Sequence, residues 1–225
     1  MGDMVLLPNG NVLIINGASE GTAGWDLGRN PVLSPVIYRP NNPVGSRFEA
    51  QLSSSIPRMY HSTAVLLRDG RVLVSGSNPH AYYNFTGVRF PTDLTMEAFS
   101  PDYLDPRLAR VRPTIVSPAS HLQIGYGQQL TINFRAQGRK NKNLITVTMV
   151  SPPFTTHSFS MNQRLLLLTN GNGIRADVTP LGRSNYQVRV MTPVHVFLPH
   201  LDTIFCSWFI VKFLVKAFGF RSNSL

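Results

Sequence analysis

Cysteine is almost missing from this chain: Cys206 is the only one in 225 residues. That excludes an intrachain disulfide. Charged residues are also sparse, at 14%, against 43% hydrophobic. A chain so balanced can bury a core, and wholesale disorder is excluded. No uninterrupted amphipathic helical pattern appears in the first 190 residues, so a helical bundle is excluded. The start, "MGDMVLLPNG", lacks the basic opening and apolar core of a signal peptide. It also lacks the Ser or Thr that a myristoylation signal carries at its sixth position. Met1 opens inside a strand pattern, so a fragment or truncated gene model is expected.

What the chain does contain is arginine, glycine and proline. Seventeen arginines and four lysines give a formal charge of +10. The cations are scattered; the densest stretches hold Arg107, Arg110 and Arg112, then Arg135, Arg139, Lys140 and Lys142. Few aromatics interleave with them, as single-strand binding would require, so nucleic acid is not an expected partner. Seventeen glycines and seventeen prolines supply turns for many short strands. The fold class read from this is all-β.

A repeat organises the first half. "DMVLLPNGNVLIINGA" (3–18) and "STAVLLRDGRVLVSGS" (62–77) share a Val-Leu-Leu run, an Asn-Gly or Asp-Gly, then Val-Leu. Gly10 matches Gly70, sixty residues on, and Gly17 loosely matches Gly76. Asn-Gly and Asp-Gly predict two-residue hairpin turns. The apolar runs around them predict strands buried on both faces. The later glycines predict a close approach or a sharp turn. "PVIYRP" and "SRFEAQL" follow the first hairpin as outer strands. Four strands per unit at a period of tens of residues predict β-propeller blades.

From about residue 111 the rhythm changes. "TIVSP", "QQLTINFRA" (128–136), "NLITVTMVSP" (143–152), "QRLLLLT" (163–169), "GIRADVTPL" (173–181) and "SNYQVRVMTP" (184–193) are short strands at roughly ten-residue spacing. That predicts an antiparallel sandwich of the immunoglobulin-like kind. The expected division is 1–107 for a partial kelch-like β-propeller, 108–193 for the immunoglobulin-like sandwich, and 194–225 for an aberrant hydrophobic tail. In the tail, Lys212 and Lys216 lie one helical turn apart. The segment reads as a membrane-surface helix or as translated intron, and the second reading is preferred. Two lysines interrupt it below the length of a span, so no membrane association is expected.

Three residues carry candidate chemistry. Tyr60 and His61 stand together in "RMYHSTAVLL" at the mouth of the second hairpin. His157 follows Pro152, Pro153 and two threonines, and a proline-stiffened loop presents its tip with little entropy to lose. Imidazole suits Cu(II), which favours square or tetragonal N/O geometry. Neighbours on an extended chain point oppositely, but at a strand mouth Tyr60 and His61 can splay toward one ion. On the residues alone, Tyr60 equally fits a half-buried aromatic and His61 a structural imidazole. His80 fits a loop hydrogen bond and His121 a solvent-side loop. Asn84-Phe85-Thr86 is a glycosylation acceptor pattern, relevant if the chain is secreted.

"RMYHSTAVLLRDGRVLVSGSNPH", "YYNFTGVRFPTDLTMEAFSPDYLDP" and "PPFTTHSFSMNQRLLLL" together resemble the copper-radical oxidases, the galactose oxidase and glyoxal oxidase family. The plant glyoxal-oxidase-like aldehyde oxidase branch is the nearest in look. The resemblance runs from about residue 3 to about residue 193. It implies a kelch-like propeller ahead of an immunoglobulin-like domain. It implies copper held by Tyr60, His61 and His157, with Tyr60 as the catalytic base. The implied reaction oxidises a small aldehyde to a carboxylic acid with O2 and releases H2O2, outside the cell. In the family a second tyrosine, joined to a cysteine by a thioether, is the radical that accepts a hydrogen atom. No cysteine precedes Cys206, so copper binding is expected to be weak or absent, and turnover by these 225 residues alone is not expected. The rival readings are a non-catalytic scaffold that binds cell-wall carbohydrate and a kelch-type adaptor for a protein partner.

Overall fold

The computed structural model describes residues 1–118, 124–137, 142, 145–151, 153–156, 159–173, 175–194 and 210–215. Every regular element among them is a strand or a short 3-10 turn, which bears out the all-β expectation. The chain forms two compact units, Met1–Asp105 with Val150–Leu165, and Pro106–Met149 with Leu166–Leu225.

Nine strands open the first unit: β1 (Asp3–Leu6), β2 (Val12–Ile15), β3 (Ala18–Glu20), β4 (Arg29–Pro31), β5 (Val36–Tyr38), β6 (Phe48–Ala50), β7 (Thr63–Leu66), β8 (Val72–Ser75) and β9 (Met96–Phe99). They build an antiparallel sheet in the order β1-β2-β5-β6, a second in the order β7-β8-β9, and the β3–β4 ribbon. The outer strands expected after the first hairpin are β5 and β6.

The two hairpin turns differ from expectation in length. Each loop has three residues, Pro8 to Gly10 and Arg68 to Gly70, closed by Leu7 N–H to Asn11 O at 2.8 Å and Leu67 N–H to Arg71 O at 2.8 Å. The reason is side-chain chemistry. Asn9 Oδ1 accepts from Asn11 N at 3.0 Å, and Asp69 Oδ1 accepts from Arg71 N at 2.9 Å. Those bonds hold a turn whose last residue, Gly10 or Gly70, sits in the left-handed region at φ 82 or 89.

Burial corrects a second expectation. The strands alternate: Val5, Leu13, Ala64, Leu66, Val72 and Val74 are buried, while Met4 is exposed and Leu6, Val12 and Leu73 are half-buried. One face of each hairpin enters a shared core with Ile37 and Val150, and the other face is not fully covered.

The second unit begins with β10 (Thr114–Ser117), β11 (Gln129–Arg135) and β12 (Ile145–Val150). The chain then supplies a small hairpin to the first unit, β13 (Phe154–Thr156) and β14 (Phe159–Met161). It returns through β15 (Leu165–Leu168), β16 (Asp177–Pro180), β17 (Asn185–Met191) and β18 (Ile210–Val215). One sheet runs β10-β11-β17-β16 and another β15-β12-β18. Their core joins Ile132, Phe134 and Val188 to Ile145, Val147 and Leu168, with Phe134 and Tyr186 stacked at 5.3 Å. Residues 210–215 lie in the tail for which translated intron was preferred over a membrane-surface helix; they form a strand beside β12, which corrects the helical alternative. A β-branched and aromatic run, Ile-Val-Lys-Phe-Leu-Val, favours that geometry. No described helix is long and apolar enough to cross a membrane.

The β13–β14 hairpin packs against β1 and β7. Gln163, just after it, behaves as a piece of strand. Its Oε1 accepts from Leu6 N at 2.7 Å and its Nε2 donates to Met4 O at 2.9 Å. Because β1 lies at a sheet edge, its free backbone groups would otherwise lack partners in this unit.

Candidate metal centre

Tyr60 and His61 occupy the middle of a tight turn. Ser62 N donates to Met59 O at 3.2 Å, which closes four residues, and His61 holds φ 63 at the third. A turn with a left-handed third residue is the type II kind, where glycine or asparagine is usual. An imidazole there is strained, and strained backbone gathers at functional sites.

The left-handed residue decides where the rings go. On an extended strand the two side chains would diverge. Here the backbone reverses at His61, and the Tyr60 and His61 rings stack, with centroids 3.8 Å apart and planes 27° from parallel. The expectation that they splay is therefore corrected: they lie face to face. His61 is exposed, and its Nδ1 lies 3.1 Å from Asn78 O. The carbonyl can only accept, so Nδ1 carries the hydrogen and Nε2 keeps its lone pair. Nε2 meets no described partner. A ring fixed through one nitrogen with the other open is the arrangement metal-binding histidines use. The Tyr60 hydroxyl, half-buried, likewise has no described hydrogen bond. Its side chain lines a cavity of about 30 Å³ with Gly17, Gly21 and Met59, room for a water or two.

A phenol oxygen and an open imidazole nitrogen are donors that fit Cu(II). His157, the third expected ligand, lies outside the described residues, as do His121, Cys206 and Lys216. Among the described residues, no group of three or more His, Cys, Asp or Glu side chains gathers to hold a metal. What can be placed is the hairpin β13–β14, whose strands flank residue 157 in sequence. It packs on β7, the strand that follows His61, with Thr63 Oγ1 3.4 Å from Thr155 Oγ1.

Sequence reasoning missed what holds the turn. Arg58 is 3% exposed. Its Nε and Nη2 both donate to Glu97 Oε2, at 3.1 and 2.9 Å. Nη2 also donates to Thr95 Oγ1 at 3.2 Å, and Nη1 to Asp93 Oδ1 and Thr95 O, each at 3.3 Å. Nη1 donates as well to Gly76 O. Burial alone would raise the Asp93 carboxyl; the hydroxyl and amide of Thr95 and the charge of Arg58 outweigh it and hold the group below its ordinary range. Backbone bonds complete the clamp. Gly17 N donates to Arg58 O at 2.8 Å, Met59 N to Ser77 Oγ at 2.9 Å, and Asn78 N to Tyr60 O at 3.0 Å. The acids that receive Arg58 lie 35 and 39 residues downstream, a separation with no sequence signature.

His80 is where a loop hydrogen bond was expected. Its Nδ1 lies 2.6 Å from Asp26 Oδ1 and its Nε2 3.1 Å from Phe90 O. With Asp26 N donating to Pro79 O at 2.7 Å, it ties the loop after β3 to the loop after β8. Gly76 shows how tight the site is: a Cβ there would stand 2.9 Å from His61 O.

Two family profiles match the chain in tandem. The one described as glyoxal oxidase N-terminus covers residues 1–103. The one described as galactose oxidase-like, early set domain covers residues 112–207. The chain belongs to the glyoxal oxidase and galactose oxidase-like family. Aldehyde oxidase GLOX1 of Arabidopsis thaliana is 48% identical over 194 residues, 86% of this chain and 31% of that protein. Aldehyde oxidase GLOX of Vitis pseudoreticulata is 49% identical over 169 residues, covering 75% of this chain and 32% of that protein. A galactose oxidase of Gibberella zeae is 28% identical over 198 residues, 87% of this chain and 25% of its own length. The chain thus spans about a third of the length of the plant relatives. A solved fungal alcohol oxidase of the AA5 family, in complex with copper, shares the fold at a TM-score of 0.61 and 24% identity, over 86% of this chain and 36% of that one.

Proposed function

We propose that this chain carries three copper ligands of a glyoxal oxidase-type copper-radical oxidase: Tyr60, His61 and His157. In the same reading its first sheets are blades of a kelch-like propeller spanning 1–107, and 108–193 is an immunoglobulin-like sandwich. The observation that carries the proposal is the Tyr60–His61 pair, stacked at 3.8 Å on a strained turn with one imidazole nitrogen committed and the other open.

Copper, when bound, supplies Lewis acidity and a one-electron acceptor. The chain's own residues would supply donors and a base; the second one-electron acceptor, the thioether-linked tyrosine of the family, has no counterpart cysteine before Cys206 in these residues. His61 Nε2 and the His157 imidazole offer neutral nitrogen donors. The Tyr60 phenol offers an oxygen that, once deprotonated, takes the hydroxyl proton of an aldehyde hydrate. Loss of two hydrogens leaves the carboxylic acid, and O2 takes them up as H2O2. The packing of β13–β14 on β7 supports convergence, because that hairpin's strands bracket His157 in sequence. Secretion and a glycan on Asn84, in its exposed loop, belong to this reading; a mass shift reversed by glycosidase on the secreted chain would bear on both.

The test is a Cu(II) titration of the 225-residue chain beside Tyr60→Phe and His157→Ala. Loss of the copper equivalent in both variants supports the site; equal uptake in all three overturns it. A peroxide-release assay with glyoxal checks the companion expectation. With no cysteine before Cys206, the copper-loaded chain by itself should release none.

A further inference from the structure

We propose that Arg58 is a positioning residue for the Tyr60–His61 pair, acting through its buried contacts with Glu97, Asp93 and Gly76. The inference rests on the copper reading above and adds to it the element that fixes the ligand pair in its receiving pose.

The argument begins with what the turn needs. A left-handed imidazole relaxes toward the extended region unless its surroundings over-determine it. Asn78 N, donating to Tyr60 O, and the Ser77 hydroxyl, accepting from Met59 N, grip the turn from one side. Those two residues continue the strand end at Gly76, and Arg58 Nη1 is bonded to Gly76 O. The same guanidinium reaches Thr95 and Glu97, at and just before the start of β9. A single planar fork therefore fixes the turn, the end of β8 and the start of β9 in one frame. Asn78 O, which sets the hydrogen on His61 Nδ1, lies two residues from Gly76.

The residue type matters. Arginine presents five donors in a rigid plane, and here they serve Glu97 twice, Thr95 twice, Asp93 and Gly76. Lysine offers one charged nitrogen and cannot span them. A burial of 97% would be costly for a cation without its two carboxylates. Arg58 is two residues from Tyr60, and its backbone carbonyl accepts from Gly17 N, so main chain and side chain both brace the turn.

The experiment separates positioning from folding. The 225-residue chain is labelled with 15N-histidine, and the His61 ring shifts are read at pH 8 without metal, in wild type, Arg58→Lys and Glu97→Gln. Cu(II) dissociation constants are measured on the same samples by chelator competition, with core amide peaks as the check on fold. The expected result is one His61 tautomer, hydrogen on Nδ1, in wild type, and a mixture in Arg58→Lys. Copper should bind at least tenfold more weakly in Arg58→Lys and two- to fivefold more weakly in Glu97→Gln. Should Arg58→Lys not fold, Glu97→Gln carries the test, since it leaves the guanidinium buried and weakens one partner. Unchanged tautomer and affinity in the folded variants overturn the inference and leave the copper reading standing. Copper uptake indifferent to Tyr60→Phe and His61→Ala overturns the copper reading and the inference with it.

Discussion

The two hairpins of the first unit are nearly superimposable in sequence, and they solve one problem in two ways. Each second strand ends on a left-handed residue, Asn16 at φ 67 in the first and Gly76 at φ 80 in the second. The register confirms the match: Asp3 pairs with Ile15 as Thr63 pairs with Ser75. The equivalence of Gly17 with Gly76 suggested by sequence is thus displaced by one residue. In the first hairpin the corner is closed by its own side chains, with Asn16 Nδ2 donating to buried Asp3 Oδ2 at 2.7 Å. In the second there is no side chain at the corner, and Gly76 gives its carbonyl to Arg58. The first corner carries its own closing side-chain pair, to which Ala64 N of the second hairpin adds a bond at Asp3. The second is open, and the turn bearing Tyr60 and His61 is built into the opening.

Six substitutions sharpen that contrast. The largest effect belongs to the open corner. Arg58→Ala takes the cation from Asp93 and Glu97, themselves 24% and 39% exposed, and the donor from Gly76 O and Thr95 O, so several contacts are lost at once. A denaturant midpoint well below wild type is the expected outcome, and no equivalent deletion in the first hairpin should match it.

The closed corner answers to pH. Burial lifts the Asp3 carboxyl to about 6, against the opposing pull of hydrogen bonds from Asn16 and Ala64. A carboxyl whose folded value lies above its unfolded one favours the protonated fold. Its contribution is complete below about pH 4 and is lost as pH rises through about 6, a swing of about 3 kcal/mol. Asp3→Asn keeps an acceptor for Asn16 and removes the swing. Stability compared between pH 4.5 and pH 8 should therefore fall less in the variant than in the wild type.

Exchanging the corners probes them next. Gly76→Ala meets a left-handed φ and a Cβ 2.9 Å from His61 O. The backbone strain alone costs about 1–2 kcal/mol. Asn16→Gly, the reverse exchange, loses one hydrogen bond but gains a residue at ease at that φ, and should change the melting temperature little. The smallest effect lies at the far ends. Asn9→Ala removes one turn-holding bond, worth about 0.5–1.5 kcal/mol; Asp69→Ala removes the matching bond and an exposed pairing of Asp69 Oδ2 with Arg71 Nε, so it should cost slightly more.

The same contrast explains what the sequence revealed. Local chemistry was legible: the two apolar runs around Asn-Gly and Asp-Gly became hairpins, and the ten-residue rhythm after residue 111 became β10, β11, β12, β15, β16 and β17. Turn length was not, because it depends on whether Asn9 and Asp69 bend back on the main chain. Burial on both faces was overestimated, because apolar composition does not say how many sheets cover a strand. At the candidate site the pair Tyr60 and His61 stood out by type and adjacency. Their stacking did not, since it follows from one φ value. Arg58 was invisible, since its partners come from a strand 35 to 39 residues away. In the tail, the spacing of Lys212 and Lys216 allowed a helical alternative beside the preferred translated intron, and long-range pairing with β12 makes a strand of Ile210–Val215.

The most direct test of the account is copper bound per chain in wild type and His157→Ala, read together with the Cu(II) electron paramagnetic resonance spectrum. The account requires that wild type, at Cu(II) concentrations high enough to fill a weak site, hold one equivalent that both Tyr60→Phe and His157→Ala lose, and that it show hyperfine coupling to two imidazole nitrogens. Full copper retention in His157→Ala, with an unaltered spectrum, would contradict it.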